Sequence, residues 1–141
     1  MQIESLEVKR FSLYPPVSFD VAYGSFPTFD YVSLIVRADN GHIGLGEAAP
    51  DTLVTGETQD SCWQTLQRAE AWLIGRDPFE VEAILAAFEE ESFGQPAAMA
   101  ALDMALYDLI GKTLGVPVYR LLGGSARRKM EVYPVVPLRP P

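Results

Sequence analysis

Residues 102–124 read LDMALYDLIGKTLGVPVYRLLGG. The spacing predicts a helix from about Pro96 to Leu114, and its composition is the puzzle. From Ala97 to Ile110 only Asp103, Tyr107 and Asp108 interrupt a run of Ala, Leu, Met and Ile. At about 100° per residue the apolar positions cover nearly the whole circumference, and a helix apolar all round must be covered on all sides. Two coverings fit. The helix is either the centre of a small α+β domain, or one of its faces packs on a second domain outside this chain. Its alanines allow close backbone approach, and Asp103 needs a partner if it is buried. Asp108 and Lys112, four apart, can pair on a solvent side, which is worth only roughly a few tenths of a kcal/mol. Gly115 is predicted to end the helix in a left-handed cap, and Pro117 blocks its continuation. VYRLLGG then adds one short turn and a second Gly stop.

Upstream, the chain divides into strands and then helices. Ile3, Leu6, Val8 and Phe11 alternate imperfectly with charged residues over Ile3–Leu13, the pattern of a half-exposed strand. YPPVSFDVAYGSFPTFD (14–30) reads as a long loop. YVSLIVRA (31–38) is a β-branched run, and DNG (39–41) is a hairpin signal of the type I′ kind. HIGLGEA (42–48) is the return strand, and its glycines predict that something packs close on one face. APDTLVTGE (49–57) is a loop. Thr58 is the expected N-cap of a helix that runs to about Leu73, with Asp60 complementing the dipole. Asp77-Pro78 is expected to open the next helix, with Pro at its first position and Phe79, Val81, Ile84, Leu85 and Phe88 at helical spacing. Gln95-Pro96 starts the long helix. The expected fold class is therefore α+β: a three-stranded antiparallel sheet followed by a helical bundle. SARRK (125–129) reads as a solvated linker or a domain contact, and MEVYPVV (130–136) as a short strand without a local partner.

Composition excludes several classes. The 141 residues carry a net charge of −8, with 48% apolar and 21% charged residues, so a folded core is expected. The acidic balance argues against a nucleic-acid partner or an anionic membrane, both of which need clustered cations. No apolar run reaches the roughly 20 residues of a membrane span, and the charged N-terminus has no signal-peptide core; a cytoplasmic protein is the simplest reading. Cys62 and His42 are each alone, which leaves no Cys-based zinc site and no nucleophilic triad. Cys62, early in a helix, reads as packed rather than reactive, and His42, beside the hairpin turn, as exposed. GLGEAA lacks the third Gly and the following helix of a dinucleotide fingerprint. Asp20, Asp30, Asp39, Glu47, Asp51, Glu57 and Asp60 scatter over loops and turns, as solvated charges or helix caps.

AALDMALYDLIGKTLGVPVYRLLGG resembles the signature that closes the N-terminal capping domain in the mandelate racemase/muconate lactonizing branch of the enolase superfamily. IESLEVKRFSL, LIVRADNGHIGLGEAAP, TGET and LIGRDP follow the family's order and extend the resemblance over nearly the whole chain. VTGET is similar to the corresponding loop of dipeptide epimerases and their muconate-cycloisomerase-like relatives. The resemblance implies two-domain enzymes in which a modified TIM barrel carries the chemistry. There a Lys or His base takes the proton α to a carboxylate, and Mg²⁺ stabilises the enediolate. On that reading residues 1–124 are the capping domain, and 125–141 are a linker and the first strand of a barrel otherwise absent from this chain. No catalytic base or metal ligand carries over, so the chain itself is expected to bind no cofactor, with Mg²⁺ belonging to the complete enzyme.

What the resemblance does carry over is substrate contact. Two capping-domain loops close over the barrel mouth, as mobile lids do elsewhere; here they correspond to about Val17–Phe29 and Ala49–Thr58. The first offers Phe19, Val21, Tyr23 and Phe26, the second Leu53, Val54 and Thr55, a lining suited to a substrate with an apolar end. Several of these side chains have the alternative role of packing a loop onto its own domain. The implied partners are the barrel and a small carboxylate substrate, with room for a homo-oligomer. Beside this stand two other readings, a stand-alone small-molecule binding module and a non-functional remnant of the fold.

Overall fold

The structure, a computed structural model, describes residues 1–127 and 129–133. Three long strands, β1 (Ile3–Leu13), β4 (Phe29–Ala38) and β5 (Ile43–Ala48), form one antiparallel sheet in the order β1-β4-β5. Val32, Leu34, Val36 and Ala38 alternate along β4 toward the helices and are buried. The residues between them face the open side, where Glu7 of β1 pairs with Lys9 and with Arg37 across the strands.

The stretch read as one long loop holds a second, two-stranded sheet, β2 (Phe19–Val21) paired with β3 (Gly24–Phe26). Strands of three residues carry too little alternation to stand out from their Pro, Gly and Ser surroundings. The turn at 39–41 also differs from expectation. Only Gly41 has a positive φ, 82°, and its N–H bonds the Ala38 carbonyl at 3.0 Å. This is a three-residue loop with a left-handed glycine rather than a type I′ turn.

Four helices follow among the described residues: α1 (Gln59–Leu73), α2 (Val81–Glu91), α3 (Pro96–Leu114) and the single turn α4 (Val118–Leu121). Thr58 caps α1 in a reciprocal capping box with Ser61. Asp77-Pro78 does not open α2. Asp77 accepts the Phe79 N–H at 3.1 Å in a turn, α2 starts at Val81, and Phe79 is exposed. Val81, Ile84 and Phe88 do reach the core. Pro96 starts α3 and Gly115 ends it in the left-handed conformation, φ 68°.

α3 lies across the sheet on β5. A Cβ built on Gly44 would collide with the Ala105 carbonyl oxygen, and one on Gly46 with that of Ala101. The expected close approach is thus between two backbones, helix on strand. Ala98, Ala101, Leu102, Ala105, Leu106, Leu109 and Ile110 are buried in one cluster with the sheet, α1 and α2. Coverage is incomplete, because Ala100 and Met104 are exposed and Asp103 and Tyr107 only half-buried. The Asp108–Lys112 pair exists, at 2.6 Å, yet it is more than a surface pair. Asp108 accepts the Leu45 N–H at 2.8 Å and Lys112 donates to the Ile43 carbonyl at 3.0 Å, so the two side chains cap the free edge of β5. Residues 130–133, expected to begin a strand, have no regular structure, and 134–136 lie outside the described residues.

Candidate functional site

Beyond one end of the sheet a cavity of about 600 Å³ opens between the β2–β3 hairpin and the stretch that joins β5 to α1. One wall is aromatic. Phe11 stacks on Tyr31 with centroids 5.4 Å apart, Tyr31 on Phe29 at 6.4 Å, and Phe29 on Phe26 at 6.1 Å. Phe19 leans on Phe29 at 6.0 Å, and Tyr23 meets Phe26 edge to face at 5.8 Å. The ladder carries β4's aromatic end outward into the hairpin, and Phe19, Tyr23, Phe26, Phe29 and Tyr31 all line the cavity. At the hairpin's base the Ser18 and Ser25 hydroxyls lie 2.8 Å apart, and each is within hydrogen-bond reach of the Asp20 carboxylate.

The facing wall is Ala49–Thr52 together with Glu57–Asp60, joined by a turn. Asp51 organises it: its carboxylate accepts the Leu53 N–H at 2.8 Å and the Val54 N–H at 3.3 Å, an Asx-type turn. Thr55 donates its hydroxyl to the Asp51 carbonyl at 3.1 Å. The next three residues anchor this wall. Glu57 is 1% exposed. Its carboxylate accepts the Ala97 N–H at 2.9 and 3.0 Å through its two oxygens, the Ala98 N–H at 3.2 Å and the Cys62 thiol at 3.3 Å. Thr58 caps α1. Gln59 donates to the carbonyls of Phe11 (3.0 Å) and Tyr31 (2.9 Å), at the foot of the aromatic ladder.

Of the candidate residues, Phe19, Tyr23 and Phe26 come together on the cavity wall, while Val21, Leu53, Val54 and Thr55 do not line it. Leu53 and Val54 are exposed, with Leu53 reaching toward Gly24 of the hairpin, and Thr55 serves the turn's own hydrogen bonds. The residues unforeseen are Phe29 and Tyr31, assigned to the strand and its approach, and Glu57, read as a solvated charge or cap. One signal for Glu57 was available. Gln95 is a poor N-cap residue, which leaves the first N–H groups of α3 to water or to an acceptor elsewhere in the chain.

Cys62 is buried, and burial followed by the Glu57 carboxylate pushes its thiol up to about 12 from the ordinary 9.0. It is protonated and inert at neutral pH. His42 is exposed. Among the described residues no three His, Cys, Asp or Glu side chains come together as a metal-ligand set; the carboxylates at the cavity are spent on backbone N–H groups, hydroxyls and Arg10, which pairs with Asp60 at 2.7 Å. These residues do not fit a magnesium site. No helix among them is long and apolar enough to cross a membrane.

The fold recurs in solved structures. A dipeptide epimerase from Cytophaga hutchinsonii, complexed with Mg and the dipeptide D-Ala-L-Val, superposes with a TM-score of 0.87 at 26% identity, covering 91% of this chain and 35% of that one. A dipeptide epimerase from Enterococcus faecalis, complexed with Mg and L-Leu-L-Tyr, gives a TM-score of 0.85 at 33% identity, over 88% and 35% of the two chains. By sequence the chain is 33% identical, along its whole length, to 38% of the N-succinyl-L-Arg/Lys racemase of Bacillus cereus. The chain thus spans little more than a third of the length of these relatives. Residues 5–123 match the family model described as the N-terminal domain of mandelate racemase / muconate lactonizing enzyme. Sheet, helices, glycine-mediated packing and signature run together over that span, and the chain belongs to this N-terminal domain family of the enolase superfamily.

Proposed function

We propose that this chain is the substrate-capping and specificity domain of a Mg²⁺-dependent isomerase. The reaction is proton transfer α to a carboxylate, as epimerisation, racemisation or cycloisomerisation, and a barrel domain supplies the base and the metal site. The cavity between the β2–β3 hairpin and the Ala49–Asp60 wall carries this reading. Its volume of about 600 Å³ lies within the usual range for small-molecule sites, and it combines aromatic surface with a few fixed polar groups. Phe19, Tyr23 and Phe26 would enclose an apolar portion of the substrate and exclude water. The names of the relatives, dipeptide epimerases and an amino-acid racemase, support the reaction class.

A second feature supports a barrel partner. Leu45, Met104, Tyr107, Val118 and Leu122 line an open groove of about 470 Å³ on the outer face of α3. We assign this groove to the barrel, since the relatives have nearly two thirds of their length beyond what this chain matches. The reading is tested by joining the chain to a barrel of the family, supplying Mg²⁺, and following α-proton exchange in D₂O by NMR. Dipeptides and N-acyl amino acids are the substrates to try for exchange, and muconate for deuterium taken up at the α carbon as the lactone forms. Exchange that weakens when Phe26→Ala or Tyr23→Ala is introduced, with KM rising more than kcat falls, is the expected result. No Mg²⁺-dependent exchange on any of these substrates would refute the assignment.

A further inference from the structure

Three consecutive residues at the floor of the cavity tie it to both layers of the fold. Glu57 holds the start of α3, Thr58 the start of α1, and Gln59 the backbones of β1 and β4. The bond to α3 is the unusual one, because the helix supplies no cap of its own. Its first N–H groups can be followed one by one. Pro96 has none, and Met99 donates to the Gln95 carbonyl at 3.0 Å. Ala97 and Ala98 both donate to Glu57, which lies 40 and 41 residues earlier. Gln95, in the capping position, makes no side-chain bond to the helix, and its Oε1 is buried without a partner. A carboxylate at this end also meets the positive pole of the helix.

We infer that Glu57 is a positioning residue for the cavity: its grip on α3 keeps the turn at 51–56, and with it one wall of the cavity, in one place. The turn's own bonds, from Asp51 to the N–H groups of Leu53 and Val54 and from the Thr55 hydroxyl to the Asp51 carbonyl, set its shape. They do not set where it sits against the helices. Leu53 and Val54 are largely exposed, and Leu53 reaches toward Gly24 of the hairpin. Position is decided at the two ends, by Ala48, buried at the end of β5, and by Glu57. The wall is therefore held against the helices from its two ends. The consequence for substrate rests on the capping reading, but the positioning itself does not, and it is tested without substrate.

The experiment is residue-resolved amide exchange and NMR on this chain, whose buried core closes within Ile3–Ile110. Glu57→Gln keeps the side chain's size while replacing one acceptor oxygen by an N–H₂ donor. Exchange at Ala97 and Ala98 should accelerate on the order of tenfold. Backbone resonances of residues 51–56 should shift and broaden, and the amides of α2 should keep their rates. A second variant, Glu57→Gln with Gln95→Asp, gives α3 a local cap. Slow exchange should return at Ala97 and Ala98 while the turn stays displaced. If the turn recovers together with the helix, Glu57 is a helix cap and the inference fails. An unmoved turn in the single variant, or uniform acceleration through α1, α2 and α3, overturns it equally. Should the single variant not fold, the double variant, with its helix cap restored, still makes the comparison.

Discussion

Gly44 and Gly46 are where one missing atom decides the packing. Both lie on β5 under α3, and a Cβ at either would meet a backbone carbonyl, of Ala105 or Ala101. Backbone cannot swing aside as a flexible side chain can, so the helix as a whole must lift. Gly44→Ala is expected to cost about 3 kcal/mol, read as a lower midpoint in chemical denaturation. Gly41→Ala is the contrast. Nothing lies within 4 Å of its Cβ, and only the left-handed φ of 82° is strained, so about 1 kcal/mol is expected. Equal losses at the two positions would show that packing against α3 is not what Gly44 serves. The sequence makes both glycines visible, and even suggests the close approach at β5, but not which atoms meet there. Glu57 is the harder case. Nothing local separates it from the solvated acids around it, and its partners are backbone N–H groups 40 and 41 residues away.

At the scale of elements, α3 guards the sheet's edge as well as covering its face. An edge strand presents unpaired N–H and C=O groups that invite pairing with another chain. On β5 two of these are taken by Asp108 and Lys112 from α3. Asp108→Ala removes the acceptor of the Leu45 N–H and the partner of Lys112, and should cost about 1.5 kcal/mol. That exceeds the roughly 0.3–0.5 kcal/mol of an ordinary i,i+4 surface pair, so a double-mutant cycle with Lys112→Ala separates the two accounts. A total loss under about 0.5 kcal/mol would return the pair to the solvent surface. Spacing alone exposed the pair, whereas the strand edge beside it exists only after the helix has docked. The hairpin β2–β3 was illegible for a related reason. Its register is held by contacts with Phe29 and by the Ser18–Asp20–Ser25 bonds, not by alternation within three-residue strands.

For the whole molecule, the question is what the uncovered face of α3 costs. Asp103 sits on that face, in the groove with Met104 and Tyr107. Burial first, and the charge of Glu82 second, raise its carboxyl above the ordinary 3.8. A raised folded value means that its contribution to stability is fully present below about pH 3.8, where the group is neutral folded and unfolded. It is lost as pH rises through the folded value. Asp103→Asn should therefore stabilise the chain at pH 7, and the gain should vanish at pH 3. Chemical denaturation at the two pH values checks both the sign and the window. A variant less stable at pH 7 would mean that the charge is used, by a partner the groove then has to supply. Seating a barrel over the groove would deepen the burial of Asp103, so the same measurement on the joined protein should show a larger effect.

The sequence by itself determined the class of fold, the family, and most element boundaries. Fold class and boundaries rest on local chemistry, alternation in β1 and β4, the Thr58 cap, Pro96 at the start of α3 and Gly115 at its end, and the family on the resemblance of the signature and the motifs before it. It also supplied Phe19, Tyr23 and Phe26 as residues for the cavity. Only the tertiary structure decided that Leu53, Val54 and Thr55 do not line it, that Phe29 and Tyr31 continue the aromatic wall, and that Glu57 anchors the other side. The difference is one of range. Caps, periods and turns are settled within a few residues of chain, whereas a cavity wall and a buried carboxylate are settled by what the fold brings in from 40 residues away.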